Sequence, residues 1–276
     1  MSSRHASENR FLTAPTGRLF LAQALPMMVV MSMSGLLTVV DAAFLGHFVG
    51  ADALAAISLV FPALMATIAL STLVSGGMSS LFARSLGAGR RDEAAAVFAR
   101  AHGLALLIAL VLAAVFFIGG DAAIGRLAGG QQPIAAMAWT FLAITVCASP
   151  VQFLLGLHAD AWRNEGRAGL MASMSVGVTI ANIALNYVLI VGLGLGVAGS
   201  ALGTALAQAL GLILLIVQRL RGDGFVPLAS LRRHPWTGGW RAILVLGAPV
   251  SLSFIGIALV SATVIAPLRL TAGPTY

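Results

Sequence analysis

The sequence predicts an all-α polytopic membrane protein, and three observations carry that expectation. Of 276 residues, 59% are hydrophobic and only 9% charged, against roughly 25% charged in a soluble globular domain. The apolar runs are long, continuous and rich in Ala, Leu and Gly. They lack the period-two alternation of a membrane β-barrel, which leaves the helix as the spanning element. Seven runs, at about 19–46, 53–82, 95–119, 134–160, 168–192, 197–218 and 243–266, each exceed the ~20 residues that cross the hydrocarbon core.

The tail before the first run, residues 1–18 (MSSRHASENRFLTAPTGR), is polar. It lacks the short apolar core and small-residue cleavage site of a removable signal, so the first span itself is expected to act as an uncleaved signal. That span holds Pro26, which removes a helical hydrogen bond and marks a possible hinge. It also holds Asp41, preceded by about fifteen uncharged residues. An ionisable group inside a lipid-spanning helix is costly and points to a task. Ser34, Thr38 and Asp41 are spaced to share one helix face.

The second run carries a stripe of Thr67, Ser71, Ser75 and Ser79, read mostly as packing. His47 and His102 stand near run ends and read as interfacial. Cys147, the sole cysteine, lies in the fourth run and reads as packing; no intrachain disulfide is available to it. The fifth run places Asn182 and Asn186 one turn apart. The sixth gives Ser200, Thr204 and Gln208 at the same spacing, beside Gly199, Gly203, Ala207 and Gly211. Small residues every four positions let helices approach closely.

The segment from Arg219 to Arg241 interleaves Arg with apolar residues and brings Trp236 and Trp240 close to the seventh run. It suits a stretch on the cytoplasmic interface, or a linker between halves. The seventh run echoes the first, with Pro249 placed early as Pro26 is. Transporters are often built from repeated halves, so this run reads as the restart of a repeat, and the 276-residue chain as a shortened form.

All sixteen basic residues are Arg, and the net charge is +7. In a soluble chain this would raise nucleic acid as a partner. Here fourteen Arg fall in the tail and alternate loops: Arg4, Arg10 and Arg18; Arg84, Arg90, Arg91 and Arg100; Arg163 and Arg167; Arg219, Arg221, Arg232, Arg233 and Arg241. Only Arg126 and Arg269 fall on the other side. The positive-inside rule then sets the N-terminus in the cytoplasm. Asp41, the Asn pair and the start of the Ser200–Gln208 stripe all fall in the outer half of the bilayer. Carboxylate, amide and hydroxyl oxygens at one depth suit Na⁺ or a protonated acid. The ten Met residues mean packing or a promiscuous apolar pocket.

No GxxxxGK[ST] loop, Cys/His metal cluster or nucleophile with a paired base occurs in the sequence. An ATP-driven pump or a membrane enzyme would need such groups; secondary transport needs none.

Several stretches in order resemble one family. VDAAFLGH followed by ADALAAISLVFP is similar to the first-helix region of multidrug and toxic compound extrusion (MATE) transporters. LFARSLGAGRRDEA, WRNEGRA and ANIALNYVLIVGLGLGVAGSALGTA are similar to its later landmarks, and the likeness runs from about Arg18 to Ala266. It implies two six-helix lobes around a central cavity and export of cationic or amphipathic compounds against H⁺ or Na⁺, with no other cofactor. In the branch resembling the DNA-damage-inducible type, the coupling-ion residues fall on Asp41, Asn182, Asn186 and Thr204, with Thr38, Ser200 and Gln208 as cavity lining. Some members carry Asp at position 186; Asn there leans toward proton coupling.

The expected layout is a cytoplasmic tail (1–18), a six-helix N-terminal lobe (19–218), an inter-lobe linker (219–242), and a seventh helix with a truncated end (243–276). The expected partners are small cationic or amphipathic compounds, the bilayer of the inner membrane, and a missing C-terminal lobe or a second copy. Two alternatives stay open: a lipid-linked oligosaccharide flippase of the same superfamily, whose cavity would hold several Arg, and a non-transporting membrane fragment.

Overall fold

The computed structural model describes residues 16–222 and 224–271. Most of the tail, with Arg4 and Arg10, and residues 272–276 lie outside it, as do the side chains of Arg18 and Arg269. Seven long helices run in order: α1 (Thr16–Phe44), α2 (Ala51–Gly87), α3 (Arg91–Leu127), α4 (Gln132–Asn164), α5 (Ala168–Asn186), α6 (Gly196–Leu220) and α7 (Trp240–Thr271). Each contains a stretch long and apolar enough to span a bilayer. Together they make an all-α, multi-pass membrane fold. Large apolar side chains such as Leu110, Val115 and Ile118 face outward, as lipid solvation permits.

The helices are longer than the apolar runs. α3 continues to Leu127 and α4 to Asn164, because polar helix ends stay helical where they reach the interface. Two π-helical turns, Leu45–Val49 after α1 and Tyr187–Gly192 after α5, were not legible in the sequence. Such turns gather at functional sites.

Packing is continuous around α2, which lies against α4, α3 and α7. α4 packs on α6 and α3, α6 on α5, and α5 on α1. The main core joins α2, α3 and α4 through Met78, Phe82, Phe98, Leu104, Phe153 and Leu157, and reaches Val226 and Ile243. α1 is the least enclosed helix: Met28, Met31 and Val39 are all exposed. The helix runs unbroken through Pro26.

Several expectations need correction. His102 is not interfacial; it is buried beside His158, with Nε2 atoms 3.3 Å apart. Arg219 is not a loop residue. It sits in the last turn of α6 and pairs with Glu165 at 2.8 Å, both side chains enclosed. Arg100 stands within α3, half-buried. Cys147 faces outward instead of packing. The Ser71/Ser75/Ser79 stripe does pack as read: Ser71 and Ser75 border Gly156 of α4, and Ser79 accepts from Asn164 at 2.8 Å.

Candidate functional site

The site grows out of the α5–α6 hairpin. Gly194 and Gly196 take left-handed backbone conformations (φ 65° and 53°) that other residues rarely adopt. There the chain reverses, and α6 returns along α5. The small-residue stripe then sets how close they come. A Cβ at Gly203 would lie 2.1 Å from Asn186 Oδ1, one at Gly199 3.0 Å from the Leu189 carbonyl carbon, and one at Gly211 2.8 Å from a Val178 methyl. The bare backbone of α6 leaves room for the Asn186 side chain, which is fully enclosed, as is Asn182.

Three helices then share one hydrogen-bond chain. Asn186 Nδ2 donates to Asp41 Oδ1 and, at 3.1 Å, to Asn182 Oδ1. Asn182 Nδ2 donates to Thr204 Oγ1 at 3.0 Å. With the Asn182 amide turned over, its nitrogen would donate to Asp41 Oδ1 at 3.2 Å and its oxygen would accept from Thr204 Oγ1. That orientation sets two amide nitrogens 3.1 Å apart, whereas the first sets Asn182 Oδ1 3.2 Å from Asp41 Oδ1 and its nitrogen 3.3 Å from the Thr204 backbone nitrogen, so each orientation carries an unfavourable contact and the amide is drawn in both. Either way Asn182 joins Thr204 to the acid.

One polar atom is left over. Asn186 Oδ1 is buried and has no hydrogen-bond partner among the described residues. Buried polar atoms are nearly always satisfied, so an orphan invites an explanation such as an ion. Asp41, Asn182, Asn186 and Thr204 supply carboxylate, amide and hydroxyl oxygens, which are hard ligands suited to an alkali cation.

The remaining expected residues take other positions. Thr38 is exposed and donates to the Ser34 carbonyl of its own helix at 3.1 Å. Ser200 is buried one turn before Thr204, and Gln208 is half-buried one turn after it. Pro26 lies well away from the acid, lining a small cleft with Met27, Val30, Met31, Arg163, Ala168 and Met171. The first π-helical turn begins four residues after Asp41 and the second directly after Asn186, and Leu45 of the first is buried with Ala53 and Val197. These wider-radius turns end α1 and α5 on the side of the acid where α2 and α6 begin.

The family model described as MatE matches residues 26–188, more than half of the chain. The chain belongs to this family. Among curated relatives, the multidrug export protein MepA of Staphylococcus aureus (strain bovine RF122 / ET3-1) is 26% identical over 252 residues, covering 89% of this chain and 54% of MepA. The probable multidrug resistance protein YoeA of Bacillus subtilis (strain 168) is 28% identical over 227 residues, covering 80% and 49%. A solved MOP superfamily transporter from Pyrococcus furiosus superposes with a TM-score of 0.82 at 24% identity, over 91% of this chain and 55% of that one. That likeness shows the same fold. The chain spans about half the length of the curated relatives it matches.

Proposed function

We propose that this chain carries the ion-coupling half of a secondary multidrug exporter, which moves cationic or amphipathic compounds out of the cell against H⁺ or Na⁺. The observation that supports it best is the Asp41–Asn186–Asn182–Thr204 chain, an acid held by amides and a hydroxyl from three helices. An acid placed so deep has a role beyond packing. A proton, a Na⁺ or a cationic compound each neutralises the Asp41 carboxylate, and only one can do so at a time. Antiport needs that competition.

Na⁺ would draw on Asp41, Asn182 and Thr204, and on the Asn186 oxygen only once that amide turns it from Gly203 toward the acid. A proton needs only Asp41. With one carboxylate in the set, we favour H⁺. In the proposed layout α1 to α6 form one lobe, ending at Leu220, the segment 221–239 is the linker, and α7 from Trp240 starts the other half. The N-terminus lies in the cytoplasm and the chain in the inner membrane. A second lobe, from further chain or a second copy, completes the cavity.

The deciding experiment replaces Asp41 by Asn and follows ethidium efflux with membrane insertion checked in parallel. Efflux should vanish while insertion is kept; undiminished efflux would remove Asp41 from the mechanism. Collapse of the pH gradient should stop transport, whereas removal of Na⁺ should not.

A further inference from the structure

Where α3 ends and α4 begins, the two helices part and leave a cleft of about 390 Å³, the size of a small-ligand site. Asp121 and Gly125 line it from α3, and Gln132, Ala136, Trp139 and Thr140 from α4. Gly125 and Ala136 carry too little side chain to fill the gap. The cleft is separate from the Asp41 site. Met137 and Phe141 of α4 pack toward Leu45, Ala53 and Val197 on that side. Trp139, two residues from each, is on the opposite face of the helix and leans on Phe116 of α3.

Asp121 is the only charged residue that lines the cleft. It is exposed, and among the described residues it forms no ion pair or hydrogen bond, with Arg126 or with any other group. Trp139 stands at a similar depth. Asp121 lies six residues before the end of α3 and Trp139 seven after the start of α4, about 9 and 10 Å along each axis at the helical rise. The indole is 37% exposed. Thr140 Oγ1 gives its hydrogen to the Ala136 carbonyl of its own helix at 2.8 Å, so toward the cleft it can only accept. Gln132 brings an amide oxygen to the same walls. One carboxylate and two accepting oxygens beside an indole match a primary ammonium, which has three N–H donors and a charge that an aromatic face attracts.

We propose that this cleft holds the ammonium headgroup of an amine-bearing phospholipid, with Asp121 as its counter-charge and the acyl chain laid along α3. A lane for the chain is present. Val111, Val115 and Ile118 are all more than half exposed, and their spacings of four and three residues lead up one face of α3 to Asp121, three residues further on. A water-soluble amine would leave that lane unused. A choline headgroup has no N–H and would leave the accepting oxygens unanswered. The lipid is neither the exported compound nor the coupling ion. The inference takes from the transport reading only its orientation, by which the cleft opens to the outer leaflet.

Native mass spectrometry of this chain tests it, with phosphatidylethanolamine and phosphatidylcholine of identical chains supplied in equal amounts. The ethanolamine lipid should be bound several-fold over the choline lipid, and each N-methyl group added to its headgroup should lower binding further. Asp121→Asn should bring the two lipids level with the unfolding temperature unchanged, and Trp139→Leu should weaken the preference. Asp52→Asn, at an exposed acid in the first turn of α2, should keep it. Equal binding of the two lipids by the unaltered chain overturns the proposal, as does a preference that survives Asp121→Asn. A preference lost equally in Asp52→Asn assigns it to overall charge and overturns the cleft. Glycerophosphoethanolamine, the same headgroup without chains, should fail to displace the lipid at equal concentration; full displacement would make this a site for soluble amines and overturn the lipid.

Discussion

Asn186 donates to Asp41 across 145 residues of sequence, and the same amide nitrogen reaches Asn182 one turn away. The contact fixes α1 to α5 at the depth of the acid. It also makes position 186 the point where the charge of the site can be changed without altering its shape. Asn186→Asp adds a second carboxylate beside Asp41. Two carboxylates so close favour a bound cation over two ionised neighbours. Efflux by this variant should become Na⁺-stimulated. Ethidium efflux with Na⁺ or choline as the bulk cation checks it, and an unchanged Na⁺ response would remove position 186 from ion selection.

Gly203 should be almost as sensitive as the acid although it carries no side chain. A methyl at this position would collide with Asn186 Oδ1, so Gly203→Ala has to push Asn186 off Asp41 or force α5 and α6 apart. Overpacking of this kind costs about 1–3 kcal/mol. The expected result is a lowered unfolding temperature in detergent together with a loss of efflux well beyond the stability change. Gly87→Ala, where the same methyl meets open space, should be neutral in both assays.

Seven helices were legible because lipid imposes length and composition on every span. One-turn spacings and equal depth brought Asp41, the Asn182/Asn186 pair and the Ser200/Thr204/Gln208 stripe to facing surfaces, and it was the family resemblance that singled out Thr204, which does meet Asn182. Arg219 was not: a charge at the end of an apolar run reads as interfacial, and its burial depends on Glu165, 54 residues away. His102 misread for the same reason, since its partner His158 is supplied by a neighbouring helix. The backbone contact of Gly77 in α2 with Gly247 in α7 joins positions 170 residues apart, which no local pattern encodes. The π-helical turns after Phe44 and Asn186 carry no residue signature to distinguish them from ordinary helix ends.

Removing either partner of the Glu165–Arg219 pair should be among the costliest single changes in this half. Both side chains are enclosed, and removing one partner of a buried pair costs roughly 3–5 kcal/mol because the other charge is left unpaired. Glu165→Leu and Arg219→Met should each lower the unfolding temperature sharply. The double variant should recover part of the loss, with the Val226 carbonyl, which Arg219 bonds, and the Phe225 N–H, which Glu165 bonds, still left without partners. Scanning fluorimetry of the three proteins checks this. A double variant no better than the worse single one would show that the pair does not act as a unit.

His102 and His158 make the last prediction, because their hydrogen bonds assign their tautomers. The Phe98 carbonyl only accepts, and it lies 2.8 Å from His102 Nδ1, so that nitrogen carries the hydrogen. In the neutral ring His102 Nε2 is then bare and accepts from His158 Nε2–H at 3.3 Å. This leaves His158 Nδ1 bare, and it is buried with no partner among the described residues. ¹⁵N spectra of the labelled protein should therefore show two neutral imidazoles of opposite tautomer. Replacing His158 by Phe strands His102 Nε2 and should cost about 1–3 kcal/mol. Replacing both by Phe removes donor and acceptor together, so the double variant should lose less than the sum of the singles. Additive losses would mean that the two rings touch without a hydrogen bond, and two identical tautomers in the spectra would mean the same.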